Sequence, residues 1–184
     1  MKSLRAILTW AVAVAISWAA AMPGASAADR SQLDRDARSA LNKLVAGNAG
    51  AKAVGAKAVA VLVFPSITKA GLVIGGQTGD GVLMMGGKTI AYYNTSGASY
   101  GLQAGAQTYG YAMFFMNEST LKQLDKTDGF EVGVGPSVVV ADEGFAKSTT
   151  SVTYDQDIYA FIFSQKGLMA GLGLQGNKIT RLAK

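Results

Sequence analysis

The chain has 184 residues, 17 basic and 12 acidic side chains, and neither histidine nor cysteine. Those absences exclude Ser-His-Asp and Cys-His nucleophile systems, the common zinc sites and any disulfide, so a stable fold must come from packing. The net charge of +5 is a mild bias that does not by itself imply nucleic acid.

Lys2 and Arg5, the apolar run Ala6 to Ala21, the breaker Met22-Pro23-Gly24 and the small triplet Ala25-Ser26-Ala27 read as a signal peptide, 1–27, cleaved near Ala27. The expectation is an exported protein, periplasmic or secreted. It is not a lipoprotein, because no cysteine can carry the lipid, and it has no transmembrane span after cleavage. Both tryptophans leave with the leader, and what remains is the size of one domain, 28–184.

Ser31 can cap a helix in which Leu33, Ala37, Leu41, Leu44 and Val45 recur at helical spacing until Gly47. The opposite face is mixed, with Arg35, Arg38, Asn42 and Lys43 interrupted by Asp34 and Asp36. Residues 28–56 are therefore read as this helix plus an Ala/Gly/Lys-rich connector, since "GNAGAKAVGAKA" is a weak helix or a loop. Beyond it, 57–184 is read as the main domain. "VAVLVF", Val59 to Phe64, reads as a buried strand that ends at Pro65.

Short strands separated by turns are then expected at 71–76, 81–85, 89–93, 99–107, 111–116, 130–134, 137–141, 158–163, 168–175 and 178–182. "NESTLKQLD" interrupts them as a short helix capped by Asn117. The fold class expected is α+β: a strongly curved, mainly antiparallel, glycine-rich sheet or partial barrel, packed by the N-terminal amphipathic helix and the short inserted helix.

"AGLVIGGQTGDGVLMMGG", Ala70 to Gly87, holds seven glycines. It follows a strand without opening a long helix and lacks Gly-Lys-Ser/Thr, which argues against a phosphate loop. Gln77, Thr78 and Asp80 argue against a membrane helix. Curved strands remain. "GLVIG", "GLQAG" and "GLMAG" share one frame, and Gly71, Gly75, Gly79, Gly81, Gly101, Gly105, Gly167 and Gly171 are expected to be structural, placed where layers approach or strands coil.

No catalytic residue, metal ligand or cofactor is expected. Asp155 with Asp157, and Asp142 with Glu143, read as solvated turn acids, and Ser164 with Lys166 as neighbours on one strand face without an activated lysine.

Several segments in one order, "AKAVAVLVFPSITKAGLVIGGQTGDGVLMMGG", "SYGLQAGAQTYGYAMFFMN", "EVGVGPSVVV" and "FSQKGLMAGLGLQGNKI", resemble the SYLF domain family, also called the Ysc84 type. The resemblance runs from about Lys57 to Ile179. It implies binding rather than catalysis: eukaryotic relatives are associated with phosphoinositide membranes and, in yeast, actin, and bacterial members are exported lipid-binding proteins. For an exported chain the acidic surface expected is anionic phospholipid or lipopolysaccharide, not nucleic acid.

Asp and Glu are absent from Ala37 to Gly79, where four lysines and one arginine fall. Lys43, Lys52, Lys57 and Lys69 are therefore the expected headgroup contacts. The alternative is a structural or protein-interaction protein of the envelope with an envelope protein partner and no direct lipid binding.

Overall fold

The structure is a computed structural model that describes residues 27–71, 74–100, 105–125, 130–131, 138–141, 156–167 and 177–183. Contacts divide the chain after Arg30, and Ser31–Lys184 forms one compact unit.

Helix α1 spans Ala27–Gly47 and α2 spans Ala49–Gly55. The helix begins before Ser31, whose hydroxyl instead accepts a hydrogen bond from Arg35 one turn on. The connector is helical because Asn48 caps it: its side chain accepts from the Ala51 amide at 2.8 Å. That satisfies a helix-terminal donor and offsets the glycine content.

Among the described residues eight strands follow: β1 (Ala60–Gly71), β2 (Ile74–Met85), β3 (Lys88–Tyr100), β4 (Gly105–Phe115), β5 (Phe130–Glu131), β6 (Val138–Ala141), β7 (Ile158–Gly167) and β8 (Lys178–Arg181). Between β4 and β5 lie α3 (Glu118–Leu121) and a 3-10 turn, Lys122–Asp125. They form one strongly curled half-barrel sheet in the order β5-β8-β3-β2-β1-β4-β7-β6. All pairings are antiparallel except β6 with β7. The α+β, curled-sheet expectation therefore holds.

The strands are longer than the sequence suggests. β1 runs through Pro65 because the chain bulges there: between Phe64 and Ile67, two residues, Pro65 and Ser66, face one on β4, Gly110, and β1 also gains one residue against β2. A bulge residue need not donate to the ladder, so proline is tolerated inside a central strand. The same bulge keeps both Phe64 and Ile67 in the core on one face. Likewise 74–76 and 81–85 belong to one strand, β2, while Gly71 ends β1, and "GGQTGDG" is strand rather than loop. Residues 89–93 and the start of 99–107 belong to the single strand β3. The expected strand 168–175 lies outside the described residues.

The sheet buries both faces. One core, with Leu62, Phe64, Ile67, Leu83, Tyr93, Tyr111, Met113 and Phe115, fills the inside of the curl with Leu124 of the 3-10 turn. The other sets Ala37 and Leu44 of α1 and Ala51 and Val54 of α2 against Val63, Val82, Met84, Ala112, Phe114 and Phe161. Each fully buried aliphatic or aromatic side chain contributes about 1.5–3 kcal/mol, so the helical layer is held by its apolar stripe rather than by helix propensity.

Candidate functional site

Helix α1 is pinned to the β2–β3 hairpin by a polar clamp. The Thr89 hydroxyl donates to Asp34 Oδ1 at 3.0 Å, and the Tyr92 hydroxyl to Asp34 Oδ2 at 3.1 Å. One turn on, Arg38 Nη1 donates to the Gly87 carbonyl at 2.6 Å and Nη2 to Thr89 Oγ1 at 3.3 Å. The hairpin can present that carbonyl because Gly86 (φ 55°) and Gly87 (φ 75°) take left-handed conformations in its tight turn.

Past the clamp, residues of α1, α2 and the sheet line a groove of about 520 Å³. Leu41 and Val45 of α1, Ala58 and Val59 leading into β1, Val61 of β1, and Met84 and Phe114 of the sheet line it. Its polar lining side chains are Arg38, Asn42 and Lys52, so among the described residues no acidic side chain lines it. Gly55 keeps the wall thin: a Cβ there would lie 3.1 Å from Phe114 Cε1.

Three of the four expected lysines lie exposed around this layer: Lys43 on α1, Lys52 on α2 and Lys57 just after it. Lys69 does not join them. It is 3% exposed in β1, on the face of core residue Ile67, and pairs across strands with Gln77 and Gln107. The bulge at Pro65 sets that orientation, and a surface headgroup cannot reach it. Arg38 takes its place at the groove. Lys88 at the hairpin is exposed too, beside Met85, 39% exposed, and Ile90, 49% exposed. Ile90 has no partner position on β2 because the register shifts between Leu83 and Met84, and that bulge turns a large apolar side chain to solvent. The Gly-Gly pair with flanking Met85 and Lys88 was the sequence signal for this hairpin.

The glycines divide by role. Gly79 and Gly81 face β1 at the bulge, where a Cβ would meet Ser66 O at 2.7 Å and the Phe64 ring, respectively. Gly71 and Gly75 face each other across the β1–β2 pair. Gly105 (φ 135°) and Gly167 (φ 107°) are left-handed, and a Cβ on Gly167 would strike the Ala106 carbonyl. Gly101 and Gly171 lie outside the described residues.

The chemistry-bearing alternatives have local duties. Asp157 Oδ1 accepts from Asn117 Nδ2 at 3.1 Å and Thr120 Oγ1 at 3.3 Å, tying α3 to the start of β7. Ser164 (φ 53°) occupies the β7 bulge, which breaks the two-residue alternation that would align it with Lys166. Asp142, Glu143 and Asp155 lie outside the described residues. Inside the curl, burial pushes the Tyr109 phenol up to about 12, and burial followed by the neighbouring Tyr109 pushes Tyr111 higher still. Both are core hydroxyls, and Tyr109 donates to Gln77 Oε1 at 2.9 Å.

Among the described residues no helix is long and apolar enough to cross a membrane. A family described as "Ysc84: Las17-binding protein actin regulator" matches residues 96–183, and no curated protein matches the chain. Of the groove side chains only Phe114 falls within the matched segment. The groove and its cations therefore belong to the part of the chain that precedes it.

Proposed function

Residues 96–183 are a Ysc84 (SYLF) family domain, and on that footing we propose that the protein is a non-enzymatic lipid-binding module acting at the bacterial envelope after export. Anionic phospholipid or lipopolysaccharide is the surface it meets. The observation that carries this reading is the acid-free cation set on the helical layer: Arg38, Lys43, Lys52 and Lys57 are all exposed, and no Asp or Glu occurs from Ala37 to Gly79. The acids of α1 lie upstream, and Asp34 among them is committed to the clamp.

Each cation near an anionic surface contributes about 1 kcal/mol, so four give salt-sensitive binding of useful strength. Met85 and Ile90 at the adjoining hairpin supply apolar side chains for the interface. The family's printed description concerns Las17 and actin; an exported chain meets neither, and the actin role is not carried over.

The test is cosedimentation with neutral vesicles and with vesicles containing phosphatidylglycerol, at low and high salt. Binding to the anionic vesicles alone, weakened by salt and by about fivefold for each of Arg38→Gln, Lys43→Gln, Lys52→Gln and Lys57→Gln, is the expected result. Equal binding to neutral vesicles, or binding that survives all four substitutions, refutes the reading. Lys69→Gln is the internal contrast: its position in the core predicts lost stability rather than weakened vesicle affinity.

A further inference from the structure

We propose that the groove under α1 and α2 takes up the acyl chain of a single-chain anionic amphiphile, a fatty acid or a lysophospholipid, one molecule at a time. This rests on the reading of the helical layer as lipid-facing and goes beyond it, because adhesion to a bilayer needs exposed cations but no space beneath them.

The space is there, and its chemistry is divided. About 520 Å³ is of ligand size. The walls are Leu41, Val45, Val61, Met84 and Phe114. They accept hydrocarbon and offer a polar chain nothing in return. Two cations reach the same groove from different helices, Arg38 from α1 and Lys52 from α2. Arg38 is held in place by Gly87 O and Thr89 Oγ1, and those two contacts leave further N–H groups of its five to meet an anion. An unbranched chain among the aliphatic walls with a carboxylate or phosphate between Arg38 and Lys52 matches both halves of the site. A neutral ligand would leave the cations unmatched, and a large polar one would leave the walls unmatched.

The test uses the purified protein and octyl, decyl and dodecyl phosphate below their micellar concentrations, titrated calorimetrically. Each added methylene should tighten binding roughly fourfold until the groove is full. Arg38→Gln and Lys52→Gln should each weaken dodecyl phosphate about fivefold while leaving decyl maltoside, a neutral amphiphile, unchanged. Ala58→Phe, which fills the groove, should abolish monomer binding. Its thermal midpoint is measured alongside, and Lys52→Gln, at an exposed site, keeps the charge test independent of folding. Lauric acid and lysophosphatidylglycerol, titrated in the same way, distinguish the two natural sources. Vesicle binding without monomer binding, or monomer affinity indifferent to chain length or to Ala58→Phe in a folded variant, overturns the groove and leaves the membrane-surface reading standing. Failure to bind either monomers or anionic vesicles overturns both.

Discussion

Gly76 and Gly79 sit three residues apart in β2, and one added methyl group should have opposite consequences at the two. At Gly79 the new Cβ would lie 2.7 Å from the Ser66 carbonyl oxygen and 2.9 Å from Ile67 Cγ1. An ordinary carbon–oxygen contact is about 3.3–3.6 Å, so something must move by about 0.6 Å or more. The obstacle is backbone, inside the bulge that lets β1 pass through Pro65, and it cannot swing aside as a side chain could. Overpacking of this kind costs about 1–3 kcal/mol. At about 2–4 °C per kcal/mol for a domain of this size, Gly79→Ala should lower the thermal midpoint by roughly 2–12 °C.

At Gly76 the nearest atom to a new Cβ is Gly97 O at 3.9 Å. There the methyl group fits, and the loss of unfolded-chain freedom should stabilise the fold by about 0.4–1 kcal/mol. Thermal unfolding of the two variants beside the parent, followed by far-ultraviolet circular dichroism, reads the difference. Equal midpoints for Gly79→Ala and the parent, or a comparable loss for Gly76→Ala, would falsify the claim that Gly79 marks the bulge rather than general strand flexibility.

Two further outcomes follow from the clamp and from the interior of the curl. Asp34→Ala leaves the Thr89 and Tyr92 hydroxyls without their carboxylate acceptor and should cost about 1–3 kcal/mol, read as a shift in urea midpoint; an unchanged midpoint means that packing alone holds α1. Tyr109 has its phenol raised from 10.0 to about 12 in the folded state. Its neutral form is thus favoured by folding, and this contribution is complete below pH 10 and is lost as pH rises from 10 towards 12. Tyr109→Phe should flatten the loss of stability over that window, and an identical alkaline profile in the variant sinks the assignment.

Much of the molecule could be read from local patterns. The stripe from Leu33 to Val45 has helical period, and α1 follows it. Asn117 precedes Leu121 and Leu124 at cap spacing, and its side chain does accept the Thr120 amide at 2.8 Å. The Gly86-Gly87 pair between apolar runs marks a hairpin, and both residues take positive φ. These are short-range matters of backbone sterics and hydrogen bonding within a few residues, so the residue types suffice.

Where strands continue is a different kind of question. Proline and clustered glycines look like stops, yet β1 and β2 pass through them because neighbouring strands supply the register that accommodates a bulge at Pro65 and a missing Cβ at Gly79 and Gly81. The lysines divide for the same reason. Lys52 and Lys69 are equally basic in sequence, but one stands on the outer side of a two-turn helix, and the other is turned by the bulge onto the inner face between Gln77 and Gln107. The groove has no local signature at all, since its walls come from α1, α2, β1, β2 and β4 and exist only once the helices have docked. Sequence alone determined the helical stripe, the strand-forming character, the caps and turns, and the acid-free basic segment, because each depends on chemistry within a few residues. Tertiary structure decided strand continuity, the burial of Lys69 and the space beside Arg38 and Lys52, because each depends on which surfaces meet.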